Sequence, residues 1–198
     1  MTTPLTIVGD QLWEKIGASM ERVELRLQKT IAILETAKIS FAIVGGNAVR
    51  IWVAQVDSAA VRATNDIDVL IRREDLEIVK NAMAQHGFRY HKAAGPDMFL
   101  EGDNDSVRYA IHLVFANQMV KQDDFEPNPD VEPTEYGAGI RTLPLERLVR
   151  MKLNSFRLKD RVHLIDMIQV GLLDAGWISK FPTVLAERFR SLVENPEQ

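Results

Sequence analysis

Two aspartates separated by one residue are the strongest candidates for chemistry in this chain. Asp66 and Asp68 stand in the sequence TNDIDVL (64–70), whose branched apolar residues predict a strand over 66–71. Because successive side chains of a strand point to opposite faces, both carboxylates should emerge on one face. Paired carboxylates of this kind bind Mg²⁺, and Mg²⁺ in turn binds the phosphates of a nucleoside triphosphate. The pair therefore predicts a metal and nucleotide site.

A double glycine precedes the aspartates. Gly45 and Gly46 follow an apolar run at 41–44, which predicts a short buried strand, and precede an apolar helical stretch over about 47–56. Glycine lets the backbone turn tightly where a side chain would obstruct a phosphate. The backbone N–H groups of a helix that begins at Asn47 would face an anion above this turn. The turn is therefore a candidate phosphate site.

Taken in this order, the two motifs resemble the signature of the nucleotidyltransferase fold, the polymerase-β-like superfamily. That signature is an apolar residue, Gly-Gly or Gly-Ser, a helix, and then Asp-x-Asp or Asp-x-Glu on the next strand. The sequence reads IVGGNAVR over 43–50 and RATNDIDV over 62–69. The resemblance extends over about 31–173, and it looks closest to the branch that includes the AbiEii-type toxins of abortive-infection and toxin–antitoxin systems.

The resemblance implies an Mg²⁺-dependent enzyme. Such an enzyme moves a nucleoside monophosphate from an NTP to a hydroxyl group of an RNA such as tRNA, a protein or a small molecule. It also implies a cognate antitoxin protein as a partner. Asp66 and Asp68 are expected to bind the metal. Nucleotide contacts are expected from five residues: Gly45, Gly46, Asn47, Thr64 and Lys152. Thr64 and Asn65 are further expected to orient the aspartates, and Arg62 to meet a phosphate or lie on the surface.

A histidine stands where the family usually has a third carboxylate. On the predicted strand around 109–114 this position is His112. Imidazole binds metals and takes a proton near neutral pH, but it is a poor ligand for Mg²⁺. Three interpretations stay open: His112 is a base or ligand, the chemistry is weakened, or His112 is a core histidine. With the two aspartates, it completes the set of candidate catalytic residues.

A basic segment near the C-terminus carries a second unexpected histidine. The sequence reads RLVRMKL over 147–153 and RLKDRVH over 157–163. Lys152 is expected to reach triphosphate oxygens as a point charge. Asp160 either anchors a basic side chain or caps a helix, and His163 replaces an acid found in several relatives. The basic residues form either a functional patch or a solvated helix face.

Hypotheses of different classes follow. The first is an active nucleotidyltransferase. The second is a degenerate member that binds a nucleotide or a partner without turnover, which His112 and His163 favour. The third concerns role: one half of a toxin–antitoxin or defence pair, with the acidic, proline-containing loop over 121–136 as the candidate partner or acceptor site.

Composition limits the class of protein. Of the 198 residues, 46% are hydrophobic and 26% are charged, and both fractions are typical of a globular domain. A net charge of −4 argues against a broad surface for nucleic acid. The sequence has no cysteine, no apolar run long enough to cross a membrane and no standard signal peptide, so we expect a cytoplasmic location.

The alternation of elements predicts an α/β (α+β) fold, a mixed twisted sheet flanked by helices with a helical C-terminal subdomain. We expect a nucleotidyltransferase-like core with N-terminal helices over 1–143 and the helical subdomain over 144–198. Asp10 is a candidate helix cap, and 98–101 with 107–115 predict a hairpin around 102–105. The predicted helices span about 10–38, 47–56, 74–86, 144–156, 160–173 and 177–192, and the remaining predicted strands span 88–90 and 139–143.

Overall fold

A single mixed sheet forms the centre of the protein. The computed structural model describes residues 9–195 apart from 93–94, 103–106, 123, 133 and 138. The strands within these residues are β1 Phe41–Val44, β2 Ile67–Ile71, β3 Phe88–Lys92, β4 Asp97–Glu101, β5 Ile111–Phe115, β6 Glu135–Gly137 and β7 Ile140–Thr142. They pair in the order β3-β4-β5-β2-β1-β7-β6.

Helices flank this sheet. In the described residues they are α1 Asp10–Thr36, α2 Gly45–Ala54, α3 Leu76–Gln85, α4 Leu145–Ser155, α5 Leu158–Gln169 and α6 Thr183–Glu194. The first three strands alternate with α2 and α3, and α4 to α6 all come after the last strand. The prediction of a mixed α/β sheet flanked by helices, helical at its C-terminal end, is confirmed.

Asp68 and His112 lie on central strands, and Asp66 directly precedes β2, which begins one residue later than predicted. β2 pairs antiparallel with β1 and parallel with β5, and Asp68 is the Cα partner of Val44 on one side and of His112 on the other. Ile67 and Val69, which flank Asp68, are fully buried. Because strand neighbours in register share a face, His112 lies beside Asp68 on the face opposite to those apolar residues.

The turn from β1 into α2 needs no linking residue. α2 begins at Gly45 and not at Asn47 as predicted. Gly45 has φ +66°, in the left-handed region that favours glycine, so the chain turns directly from strand to helix. All four residues of β1 are buried, so the turn follows directly from a buried strand.

Several element boundaries differ from the sequence predictions. α1 begins at Asp10, so this residue is its first member and not its cap. Val107–Tyr109 forms a 3₁₀ turn, so β5 begins only at Ile111, although the predicted antiparallel pairing of β4 with β5 is present. Positions 103–105 of the predicted hairpin turn lie outside the described residues. A 3₁₀ helix at Ala175–Lys180 and Pro182 divide the last predicted helix, because proline cannot donate a helical hydrogen bond.

The acidic loop over 121–136 is anchored to the rest of the fold. Arg150 makes two hydrogen bonds to Glu126, at 2.9 and 2.5 Å, and Arg147 donates to the backbone oxygens of Asp130 and Glu132. The last positions of the predicted loop, 135–136, belong to β6. Two residues of the basic segment therefore hold the loop against α4, and positions 123 and 133 lie outside the described residues.

One buried apolar cluster runs through both predicted parts of the chain. It joins Phe41 and Ile71 of the sheet to Leu153 and Phe189 of the helices that follow. The division into 1–143 and 144–198 stays a prediction. None of the described helices has the length and apolarity needed to span a membrane.

Unfolding of a core variant tests how far the C-terminal helices belong to the same folding unit. Phe189 is 0% exposed and packs edge-on against Phe181 with ring centroids 5.7 Å apart. We expect Phe189→Ala to lower the free energy of unfolding by about 3–5 kcal/mol, because it leaves a cavity. The control Val184→Ala, on the same helix but 41% exposed, should change it by less than about 0.5 kcal/mol. Denaturant titration gives both values, and two separate transitions in wild type would support an independent subdomain.

Candidate active site

A cleft of about 470 Å³ opens between the sheet and the helices that follow it. The ends of β1 and β2 and the middle of β5 form one wall, with Gly45, Asp66, Asp68 and His112. The opposite wall comes from the end of α4 and the first turn of α5, and it is lined by Lys152, Arg157, Lys159 and Asp160. One wall thus carries the acidic pair and the other carries cations.

The three candidate catalytic residues lie together. Asp66, Asp68 and His112 each offer one ligand atom, and these atoms lie within 4.8 Å of one another. Nδ1 of His112 is 3.5 Å from Oδ1 of Asp68. The hydrogen bond to Asp68 raises the pKa of His112 above its usual value, and partial burial opposes this shift. Two carboxylates and an imidazole at these separations fit a divalent cation.

Three neighbours position Asp66. Thr64 donates its hydroxyl to Oδ1 at 2.8 Å, Lys159 donates its ammonium to Oδ2 at 3.1 Å, and Asn47 donates its amide to the backbone oxygen at 2.8 Å. Partial burial alone would raise the pKa of Asp66, but Thr64 and Lys159 outweigh it and the net shift is downward. Asp66 is therefore ionised at neutral pH.

Gly45 leaves the space that Asp68 occupies. A Cβ atom on Gly45 would lie 1.8 Å from Oδ2 of Asp68, far inside van der Waals contact. A Cβ atom on Gly46 would lie 2.8 Å from the hydroxyl oxygen of Thr64. The double glycine thus admits the two side chains that form and orient the acidic pair.

The predicted nucleotide-binding residues divide into two groups. Gly45 and Lys152 line the cleft. Gly46 and Thr64 line a much smaller cavity behind it, and Asn47 is 1% exposed beneath Asp66. The contacts of Thr64 and Asn47 are therefore with Asp66, whereas Gly45 and Lys152 face the space where a ligand would bind.

The cationic wall is built around one buried carboxylate. Asp160 is 1% exposed, its Oδ1 lies 3.1 Å from Nζ of Lys152, and its Oδ2 accepts from Nε of Arg157 at 2.8 Å. Burial would raise the pKa of Asp160, but Arg157 and Lys152 lower it to about 2. Burial lowers the pKa of Lys152, and Asp160 opposes this shift. Asp160 also accepts from the backbone N–H of Arg157, so it anchors both basic side chains and the start of α5.

His163 lies in the small cavity behind the glycines. Its Nδ1 is buried and has no hydrogen-bond partner among the described residues. Burial and the nearby Lys152 lower its pKa to about 4. Arg62, for which a phosphate contact or a surface position was predicted, is exposed and pairs with Asp166 at 2.6 Å beside this cavity. Neither His163 nor Arg62 lines the main cleft.

The cleft is also lined by residues that the sequence analysis did not identify. The guanidinium carbon of Arg73 lies 3.2 Å from the ring centre of Phe115, and its Nη2 donates to Gln118 at 3.1 Å. Asp97, 6% exposed, lies in the same part of the cleft and accepts from Tyr90. These residues come from separate elements, so no local pattern in the sequence could have identified them.

Comparisons with known proteins give only distant structural matches. No protein-family model matches the sequence, and no curated protein matches it. The solution structure of the antibiotic-resistance factor ANT(2'')-Ia is 15% identical, with a TM-score of 0.46 over 86% of this chain and 83% of that one. A candidate nucleotidyltransferase from Helicobacter pylori is 14% identical, with a TM-score of 0.49 over 90% and 78%.

A third structure, JHP933 from Helicobacter pylori, is 16% identical, with a TM-score of 0.45 over 96% of this chain and 77% of that one. At these identities and scores the likeness assigns neither a family nor an activity to this chain.

A matched pair of glycine substitutions tests the contact of Gly45 with Asp68. Gly45 and Gly171 have φ of +66° and +78°, but a Cβ atom on Gly171 would meet nothing within 4 Å. Gly171→Ala should cost about 1 kcal/mol of unfolding free energy for backbone strain alone. Gly45→Ala should cost at least about 1–3 kcal/mol more, because Asp68 must move. Equal losses in denaturant titrations would show that Asp68 does not depend on this glycine.

The depressed pKa of His163 makes stability depend on pH. The unfolded chain binds a proton at His163 below about pH 6.5, whereas the folded protein does so only near pH 4. The unfolded state therefore gains protons first, and stability falls as pH falls through this window. Between pH 7 and pH 5 wild type should lose about 1–2 kcal/mol more than His163→Gln or His163→Leu. Parallel stability profiles for the three proteins would contradict this.

Proposed function

We propose that this protein is a nucleotidyltransferase, which moves a nucleoside monophosphate from an NTP to a hydroxyl group of an acceptor. The observation that carries the proposal is the juxtaposition of Asp66, Asp68 and His112 with the Gly45 turn, across one cleft from three cations. Such a cleft suits a polyanionic substrate with a bound dication. The acidic pair would bind the metal, and the basic wall would face the anionic groups.

Mg²⁺ is the proposed cofactor, with Asp66 and Asp68 as its ligands. Both are carboxylates, which this ion prefers, and their oxygens lie within 4.8 Å of each other and of His112. When bound, the ion would neutralise charge on the phosphates and lower the pKa of the attacking hydroxyl. His112 is the weaker ligand of the three, so we assign it to proton transfer.

The chain's own residues supply the other roles. Lys152, Arg157 and Lys159 compensate the charge of the triphosphate, and Gly45, which leaves room for Asp68, lines the cleft beside the phosphates. The acceptor hydroxyl oxygen forms a bond to the α-phosphorus while the bond from that phosphorus to the bridging oxygen breaks, and pyrophosphate leaves. Neutral His112 takes the hydroxyl proton. The acceptor is an RNA, a protein or a small molecule.

Nucleotide binding tests the acidic pair. We expect wild type to bind at least one of the four NTPs in calorimetry only when Mg²⁺ is present. Asp66→Asn and Asp68→Asn should each weaken that binding at least about tenfold, because each removes a charged ligand. Asp57→Asn is the matched control: Asp57 is exposed and accepts from the N–H of Ala59, a role that asparagine keeps. Binding that survives both aspartate variants would contradict the proposed site.

A second candidate function is nucleotide binding without turnover, and His112 favours it because a neutral imidazole replaces the family's third carboxylate. Release of pyrophosphate by wild type, lost in Asp66→Asn, would support the enzyme. Metal-dependent NTP binding without pyrophosphate release, together with release in His112→Asp, would support the degenerate binder.

The role in a toxin–antitoxin or defence pair stays a hypothesis from the sequence, and growth arrest on expression that Asp68→Ala abolishes would support it. In the loop proposed as a partner site, Glu126 and Asp130 pair with Arg150 and Arg72. Two of the acidic side chains of this loop therefore form ion pairs within the fold.

A further inference from the structure

The ammonium group of Lys159 contacts the same carboxylate that the proposed metal would use. Its Nζ lies 3.1 Å from Oδ2 of Asp66. We propose that Lys159 is a gate: it competes with the divalent cation for Asp66, and a bound triphosphate draws it away, so that cation and nucleotide bind cooperatively. This inference rests on the proposed function and adds a coupling between its two ligands.

Lys159 competes because the other carboxylate oxygen of Asp66 already has a hydrogen-bond partner. Oδ1 accepts from the hydroxyl of Thr64, and the backbone oxygen accepts from Asn47. Thr64 has a short side chain that lies against Gly46, so it has little room to withdraw. We therefore place the cation at Oδ2, where an ammonium group beside a dication is strongly repelled.

Lys159 can leave more readily than the other cations of its wall. Lys152 is 5% exposed, and both it and Arg157 are held by Asp160. The side chain of Lys159 is long, flexible and 49% exposed, and it donates its hydrogen bond to Asp66 and not to Asp160. It also lines the cleft. Phosphate oxygens there would give its charge a second partner.

His112 does not act in the same way. It lies 3.5 Å from Asp68, but it belongs to a central strand and its neutral form is itself a metal ligand. A group that can bind the metal does not have to leave before the metal enters. Among the described groups that contact the acidic pair, we therefore assign the gate to Lys159 alone.

Thermodynamic linkage makes the coupling reciprocal. If a triphosphate raises the affinity for the cation by moving Lys159, the cation raises the affinity for the triphosphate by the same factor. Replacing Lys159 by a neutral residue should raise the cation affinity of the protein without nucleotide and reduce this factor. Replacing it by arginine keeps the charge and should keep the gate.

The test measures Mn²⁺ binding to the full-length protein without nucleotide, from the electron paramagnetic resonance signal of free Mn²⁺. We expect Lys159→Gln to bind Mn²⁺ about tenfold more tightly than wild type, a typical allosteric coupling. Lys159→Arg should bind like wild type. The control for loss of one positive charge is Lys80→Gln, which removes an exposed pair with Glu77 on α3 and should change nothing.

A second measurement compares the affinity for α,β-methylene analogues of the NTPs with and without Mn²⁺ by calorimetry. The complex of Mn²⁺ with nucleotide in solution is common to all variants and cancels between them. The gain on adding Mn²⁺ should be smaller in Lys159→Gln than in wild type.

Unchanged or weaker Mn²⁺ binding in Lys159→Gln, with measurable binding in wild type, would overturn the gate and leave the proposed function intact. Absence of Mn²⁺ binding in wild type and every variant would overturn the metal site itself, and the gate with it.

Discussion

Electrostatic repulsion between two carboxylates is the constraint around which this cleft is organised. Asp66 and Asp68 are separated by a single residue, and their negative charges repel one another at this short distance. Thr64 and Lys159 counter the charge on Asp66, while His112 lies against Asp68. The other cations across the cleft also offset the negative charge of the pair, at longer range. These partners offset the negative charge of the pair within the fold.

The basic wall presents the inverse problem, and a single buried acid solves it. Lys152 and Arg157 would repel one another, and Lys152 is 5% exposed, where an unpaired ammonium group is costly. Asp160 joins both through separate oxygens and also receives the backbone N–H that opens α5. The cationic wall thus contains a carboxylate, and the acidic pair has cations beside it. Each wall keeps its net charge, while the charges within it have partners of opposite sign.

The sequence predicted those parts of the site that local patterns encode. The apolar run, the double glycine and the alternating strand identified β1, α2 and β2, because strand period and glycine conformation are properties of neighbouring residues. The family resemblance grouped His112 with the aspartates, and the parallel pairing of β5 with β2 makes it the partner of Asp68. The start of α2 was misjudged because a left-handed Gly45 removes the expected linking residues.

Contacts between distant elements escaped prediction. Arg73 on Phe115, the pairing of Arg62 with Asp166 and the contact of Lys159 with Asp66 join segments with no common pattern in the sequence. The family resemblance left Asp160 as either an anchor for a basic side chain or a helix cap. Its burial between Lys152 and Arg157 supports the anchor, and it also accepts the backbone N–H at the start of α5. Burial is a property of the whole fold, so pKa shifts such as that of His163 also lay beyond the sequence.

The distance along the chain between Asp66 and Lys159 has a consequence for synthesis. The two residues are 93 positions apart, and the wall that carries Lys152 and Asp160 is built from α4 and α5. A nascent chain emerges from its N-terminus, so β1, α2 and β2 leave the ribosome with both aspartates long before the opposite wall exists. During that interval the aspartates have neither their cationic counterpart nor an enclosed cleft. A growing polypeptide of this sequence therefore cannot form both walls of the cleft until α5 has been made.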